Sequence, residues 1–473
     1  MKSHYKYTFL VLVLTVCISC KKEFLDVEDD SVITRQQHVK DLLTTGEYLN
    51  GIYVVLDKDF YSGYNLIYPE LIADNVKPTS GSLISYYNWL QKSDGSSGSE
   101  MMNLWMNGYQ IARSCSFVIA KADEFRDQNA VKADNMKAQA YAIRALVHFV
   151  MVNVFAQSYN FTSGGTHPGI PYVSTPDWTV PITQRNSVSD VYANIISDLN
   201  AAIPLFNPGP INVLYMNRNA AKALLARTYL FKEDFAMAKN IAVEVVKAVP
   251  LMTGGNYPSK LFTSNESEAL FQIPPASTGI SGAAYDVYPA GVYYASSVYE
   301  FNATADIATI LNEDPRDLRS IWVTQNNPGL WDITKFPSDV IPGFPIGAMA
   351  YYQTLFRSSE MYLTAAESYA RLSVTDSARF YLDAIRLRAN PGLAPTNVSG
   401  AALLDSMYKE RRKEFAFEGF RMFDLLRLKK GVNRNDVYLP DGQNETLSYP
   451  NNRAIAPLPK IDVDLGIPQN PGY

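Results

Sequence analysis

Apolar residues recur at helical spacing over much of the chain. From Met136 through Ala140, Ile143, Val147 and Val150 to Val154 the intervals are 4, 3, 4, 3 and 4, one stripe down a helix spanning 131–157. The stretch from Trp105 to Phe125 reads as a second helix, and a loop at Gln128 joins the two as a hairpin. Ser187-Val188-Ser189-Asp190 can cap a helix that runs through Ile203 and ends at Pro204. Two more hairpins are predicted, one pairing 217–230 with 234–249 and one pairing 358–371 with 375–388.

Those two hairpins match. Ala226, Tyr229 and Ala238 are spaced 3 and 9, and so are Ala366, Tyr369 and Ala378. A small residue lets two helices approach, a tyrosine fills the groove beside it, and the second alanine receives the partner helix. This is the packing of a tetratricopeptide-type pair. Such pairs cannot bury their faces alone, so the hairpins near 105–155 and 401–428 are expected to stack with them. The predicted fold is mainly α, a superhelical scaffold of helical hairpins.

The pattern breaks between hairpins. Ten of the 27 prolines fall between Pro250 and Pro345, where helix is not expected to persist. The stretches 60–100, with its Ser/Gly runs, and 158–185 are also irregular. Loops this long usually carry function. The expected organisation is therefore a scaffold with long loop-rich insertions that form a ligand face.

Composition narrows the class. The 473 residues are 47% hydrophobic and 19% charged, which is globular, and a formal charge of −5 lacks the basic face that nucleic acid requires. Tyrosines number 31 against 22 phenylalanines, a weak pointer to half-exposed rings. Lys2 and Lys6 precede an apolar run, Phe9 to Val16, that is too short to span a bilayer, so 1–19 reads as a signal peptide. Val16-Cys17-Ile18-Ser19-Cys20 resembles a bacterial lipobox, with Cys20 the lipidated residue and 20–40 a tether. Acyl chains on Cys20 would hold the chain at a membrane. Only Cys115 is then left, and no intramolecular disulfide is available to the exported chain.

A set of ordered motifs carries a family resemblance. Cys20 is followed by Lys21-Lys22-Glu23-Phe24-Leu25-Asp26, and Glu70-Leu71-Ile72-Ala73-Asp74-Asn75 comes next. Ala142-Ile143-Arg144-Ala145-Leu146, Gly169-Ile170-Pro171-Tyr172-Val173 and Ala221-Lys222-Ala223-Leu224-Leu225-Ala226-Arg227 lie in the middle. Glu410-Arg411-Arg412-Lys413-Glu414-Phe415-Ala416-Phe417-Glu418-Gly419 leads to Arg421-Met422-Phe423-Asp424-Leu425, and the chain closes on Gln469-Asn470-Pro471-Gly472-Tyr473. The chain resembles the SusD/RagB family of surface glycan-binding lipoproteins in Bacteroidetes nutrient uptake. The resemblance implies a helical scaffold with a loop-rich ligand face. It also implies an outer-membrane lipoprotein seated on a SusC-like TonB-dependent barrel, which captures oligosaccharide and passes it on. On this reading 41–250 is the N-terminal helical region, 251–357 a loop-rich insertion and 358–473 the C-terminal RagB/SusD region.

Candidate chemistry is sparse. Glu414, Glu418, Arg421, Asp424 and Arg427 form a ladder that turns a corner at Gly419 and is expected to be a satisfied ion network. Glycoside hydrolysis needs two carboxyls about 5–10 Å apart; Asp74 or Asp314 could be drafted, but no motif frames them. His148 is expected to be a packed core histidine, with no metal site and no cofactor. The ligand candidates are loop rings, which can cover the apolar face of a pyranose while amides bond its hydroxyls: Tyr86, Tyr87 and Trp89 with Asn88 between them, and Tyr293, Tyr294 and Trp331. Trp105 and Trp178 are expected to be core or loop staples. The rival readings are a helical-repeat adaptor for protein or peptide and a glycoside hydrolase.

Overall fold

The computed structural model describes residues 35–61, 64–79, 83–96, 98–264, 266–274, 301–336, 352–434 and 445–473. The signal segment, Cys20, Tyr293 and Tyr294 lie outside the described residues.

Helices begin where a side chain can accept the first free backbone N–H groups. Asp41 accepts from Thr44 N at 2.8 Å and opens α1, Leu42–Val55. Helix α2 is Tyr64–Leu71 and α3 is Glu100–Glu124. Asn129 caps α4, Ala130–Phe155. Ser187 caps α5, Val188–Ala202, and Pro204 follows in a single 3-10 turn. Asn217 caps α6, Arg218–Phe231, and Asp234 caps α7, Phe235–Ala248. A short α8, Ala305–Leu311, precedes α9, Ser358–Arg371, and α10, Thr375–Ala389. Helix α11 is Gly400–Glu414 and α12 is Arg421–Arg427.

Consecutive helices pack as hairpins: α3 with α4, α6 with α7, α9 with α10. The matched pairs also stack on each other through α7 and α9. Ala226, Ala238, Ala366 and Ala378 are fully buried, as close helix approach requires. Tyr369 stacks on Tyr381 with centroids 5.6 Å apart, and the Lys239 ammonium from the other hairpin lies 5.4 Å from the Tyr369 ring. Helix α4 is long and apolar enough to cross a membrane, but it is the central core helix. Its Arg144 donates to Asp198 of α5 at 2.7 and 2.6 Å. Its His148 is also buried: Nδ1 faces the Arg144 carbonyl at 2.8 Å, and Nε2 accepts from Val173 N at 3.0 Å. A ring with one nitrogen accepting a backbone N–H is neutral, and burial pushes it down to about 3.

The proline-rich stretch is more ordered than its composition predicts. Besides α8 its described residues supply four strands to two small antiparallel sheets. Strands β1 (Val76–Pro78), β3 (Phe301–Ala303), β4 (Val323–Asn327) and β5 (Leu330–Ile333) form one sheet in the order β1-β3-β5-β4. Strand β2 (Ala269–Ile273) pairs with β6 (Gln353–Arg357) in the other. Strands β4 and β5 form a local hairpin, but β1 and β3 lie more than 220 residues apart and β2 and β6 80 or more, in strands of three to five residues. Local periodicity carries no trace of such pairings.

Candidate functional site

The first predicted ring cluster is core. Tyr86, Tyr87 and Trp89 are 3%, 0% and 3% exposed. Trp89 Nε1 donates to the Ile72 carbonyl at 2.8 Å, and the Tyr86 hydroxyl donates to Glu100 at 3.0 Å. The Arg434 guanidinium lies 3.6 Å from the Tyr87 ring centroid and 4.1 Å from that of Trp89. It also donates to the carbonyls of Ala73, Tyr87 and Leu71 at 2.8, 2.7 and 3.1 Å. These rings clamp a C-terminal arginine and do not face a ligand, which corrects the sequence expectation. The physical cause is a partner more than 340 residues away that no local pattern reveals. Asn88, between them, is half-buried.

Trp331 is placed differently. It sits half-buried on β5, and the sheet brings the first loop excursion against the second: Val76 opposes Ala303, which opposes Trp331, which opposes Gln325. Directly opposed residues share a face. That face therefore runs from a buried interior at Val76 and Ala303, through Trp331, to exposed Gln325 on the edge strand. The β4–β5 turn is made by Pro328-Gly329, with Gly329 at φ +80°. Thr324, Gln325, Asn326 and Asn327 are all exposed, so amides flank an indole at a sheet edge. On the opposite face Asn302 Nδ2 donates to Asp332 at 3.1 Å, Asn326 bonds the other Asp332 oxygen, and Lys77 Nζ donates to the Gly329 carbonyl at 3.2 Å. The hairpin is thus pinned from behind while, among the described residues, its edge stays open. Sequence reasoning missed Gln325; the Pro328-Gly329 turn between two short runs was the available signal.

The charged ladder is an ion network, as expected. Helix α11 ends at Glu414, Gly419 turns the chain at φ +84°, and α12 resumes at Arg421. Glu414 is fully buried and accepts from Tyr257, Arg319, Arg357 and Arg388. Burial pushes its carboxyl up, but Arg388, Arg357 and Arg319 outweigh this and hold it well below the carboxylate range. Asp424 lies between Arg411 and Arg427, and Arg427 also reaches Glu367. Glu70 takes the Gly419 and Phe420 backbone N–H groups at 2.9 Å each. Burial pushes its carboxyl up, partly offset by Asn75 and these N–H groups.

The two drafted carboxylates are equally committed. Asp74 bonds Arg421 at 2.5 and 2.8 Å; burial raises its carboxyl, and Arg412 and Arg421 outweigh that to hold it at about 2. Asp314 bonds Arg316 and Asn390, which hold it far below the usual range. Neither can donate a proton near neutrality. Among the described residues no group of three His, Cys, Asp or Glu side chains is placed to hold a metal ion. Trp105 is a core staple, its indole donating to Asp462 at 2.9 Å. Trp178 is 41% exposed, on a loop whose Asp177 and Val180 carbonyls are bonded by buried Arg113.

The class so defined is a helical-repeat protein whose open amide-and-indole edge is carried on a small sheet between loops. Residues 23–230 match a family model described as starch-binding associating with outer membrane, and residues 323–473 match that of the SusD family. The SusD-like protein P2 of Formosa agariphila is 26% identical, over 99% of this chain and 99% of its own. Among solved structures, a Bacteroides vulgatus protein named as a candidate sugar-binding protein is 28% identical with a TM-score of 0.80, covering 92% of this chain and 99% of its own. A SusD superfamily protein of Bacteroides thetaiotaomicron is 24% identical with a TM-score of 0.81, covering 91% and 100%. The chain belongs to the SusD/RagB family of carbohydrate-binding proteins.

Proposed function

We propose that this chain is a cell-surface lipoprotein that captures an oligosaccharide without cutting it and delivers it to a SusC-like TonB-dependent transporter in the outer membrane. The observation that carries the reading is the family match over 23–230 and 323–473, which includes the open β4–β5 edge. Trp331 supplies the flat apolar platform, and Gln325 beside it supplies hydroxyl partners; Asn88, and Tyr293 and Tyr294 outside the described residues, are further candidates for contact with the ligand. Cys20 is the lipid anchor. The absence of cleavage is supported by Asp74 and Asp314, whose ion pairs keep both carboxylates ionised.

The test is binding of the purified protein to a panel of oligosaccharides, with the products analysed after incubation. Trp331→Ala should weaken the bound glycan at least tenfold and leave the fold intact, and no shortened product should form. Unchanged binding would remove Trp331 from the site, and product would establish hydrolysis. Cys20→Ser should move the protein out of the membrane fraction; retention there would exclude lipidation as the anchor.

A further inference from the structure

A second surface lies on the helical side, away from the sheet edge. A groove of about 620 Å³ runs between α1 and the start of α4, and continues into a neighbouring one of about 470 Å³ beside the 206–217 loop. The two share Asn135, Gln139, Asn207 and Tyr215 as walls. Six carboxamides line the first groove among leucine, methionine and tyrosine side chains, and the protein sets the orientation of four of them. Gln128 Oε1 accepts from Leu42 N at 2.9 Å, Asn129 Oδ1 from Lys132 N at 3.0 Å, and Asn135 Oδ1 from Asn207 N at 3.3 Å. A backbone N–H can only donate, so in each case the oxygen must face inward. Gln139 Oε1 accepts from the Tyr53 hydroxyl at 2.7 Å, and that hydroxyl itself accepts from Met216 N at 2.9 Å. Its proton is therefore committed to Gln139. All four NH2 groups are left as fixed donors, and among the described residues none has an acceptor.

Asn135 and Gln139 are about one helical turn apart, so their backbones are spaced by about 6 Å along the helix. Tyr215 closes the shared wall, 41% exposed, and is held edge-on against Tyr53 with centroids 5.1 Å apart. Charge in the first groove is balanced, Glu47 against Lys132, and the second adds one cation, Arg218, which donates to the Phe206 carbonyl. We propose that this groove is a second carbohydrate subsite that takes a neutral oligosaccharide, with Tyr215 as platform and the Asn135 and Gln139 NH2 groups bonding sugar oxygens. Sugar hydroxyls accept from fixed donors and can still give their own protons to water. An extended peptide brings as many N–H groups as carbonyls and would meet donors where it needs acceptors. An anionic glycan would need more positive charge than one guanidinium already bonded to a carbonyl. The inference rests on the glycan-binding reading but uses residues that the sheet-edge site does not.

The experiment is a glycan array of neutral oligosaccharides, starch fragments among them, probed with the wild type, Tyr215→Ala, Gln139→Glu and Trp331→Ala. Gln139→Glu keeps the oxygen that Tyr53 needs and replaces the outward donor with an anionic acceptor. At least one neutral oligosaccharide should lose tenfold or more in affinity in both groove variants, at unchanged melting temperature. Retention of every wild-type affinity in the groove variants overturns the subsite, and loss in Trp331→Ala alone then leaves the main reading standing. A wild type that binds no glycan sinks both. Peptide-library binding that Tyr215→Ala abolishes would overturn the ligand class.

Discussion

Glu414→Gln isolates the centre of the buried ion network. The carboxylate accepts from the Tyr257 hydroxyl at 2.9 Å and from Arg319, Arg357 and Arg388 at 3.2, 2.6 and 2.7 Å. Counted bond by bond, at about 1.5–3 kcal/mol each for charged partners, the loss would be about 6–12 kcal/mol. That overstates it, because every cation keeps another carboxylate. Arg319 retains Asp317 and Glu410, Arg357 retains Glu418, and Arg388 retains Glu268. The relevant figure is that for removing one partner from a buried network, about 3–5 kcal/mol. The variant amide also turns its NH2 group toward Arg319 in one orientation or toward Arg357 and Arg388 in the other, which favours the upper half. The measurement is the urea unfolding midpoint at pH 7 with the slope held fixed. A drop below about 1 kcal/mol would show that the neighbouring acids already neutralise these arginines and that Glu414 is not their hub.

Three further outcomes follow from the geometry. Because His148 is held neutral at about 3, well below its unfolded value, its contribution is present above about pH 6.5 and is lost as pH falls. Wild type should lose about 2 kcal/mol more than His148→Gln between pH 7.5 and 5, read from paired urea midpoints. Ala226→Leu should overpack the fully buried contact with α7 and cost about 1–3 kcal/mol; a neutral result would undercut the repeat packing. Gly419→Ala should destabilise by about 1–2 kcal/mol from its φ of +84° alone, with more from a Cβ placed 3.0 Å from the Leu66 carbonyl oxygen; an unchanged melting temperature would mean that the corner relaxes.

The helical hairpins were legible because their signals are local. Caps at Ser187 and Asn217 and the alanine–tyrosine spacing all lie within one or two turns of the element they specify. The sheets were not legible, since β1 pairs with β3 across more than 220 residues and offers only three residues of pattern. The ring clusters failed in part for the same reason. An aromatic triplet in a loop reads alike whether solvent or an arginine covers it, and Arg434 covers Tyr87 and Trp89. Trp331 escapes that fate because its strand is next to the edge.

The motifs that identify the family prove to be those that hold the scaffold together. Glu70 and Asp74 from one motif bind the backbone of Gly419 and the guanidinium of Arg421 from another. Arg144 takes Asp198, to which the Tyr172 hydroxyl also donates, and Arg227 takes Glu360. Asn470, from the closing motif, donates to the carbonyls of Phe155 and Ala456. Each pair is buried, and a buried charge that loses its partner costs several kcal/mol, so neither member can vary alone. A ligand surface has no such coupling: Gln325, Tyr215 and Gln139 each meet solvent on one side and can change without unfolding the chain. Family membership is therefore legible from the clamps and ligand identity is not, because the two surfaces proposed for the ligand lie outside those clamps.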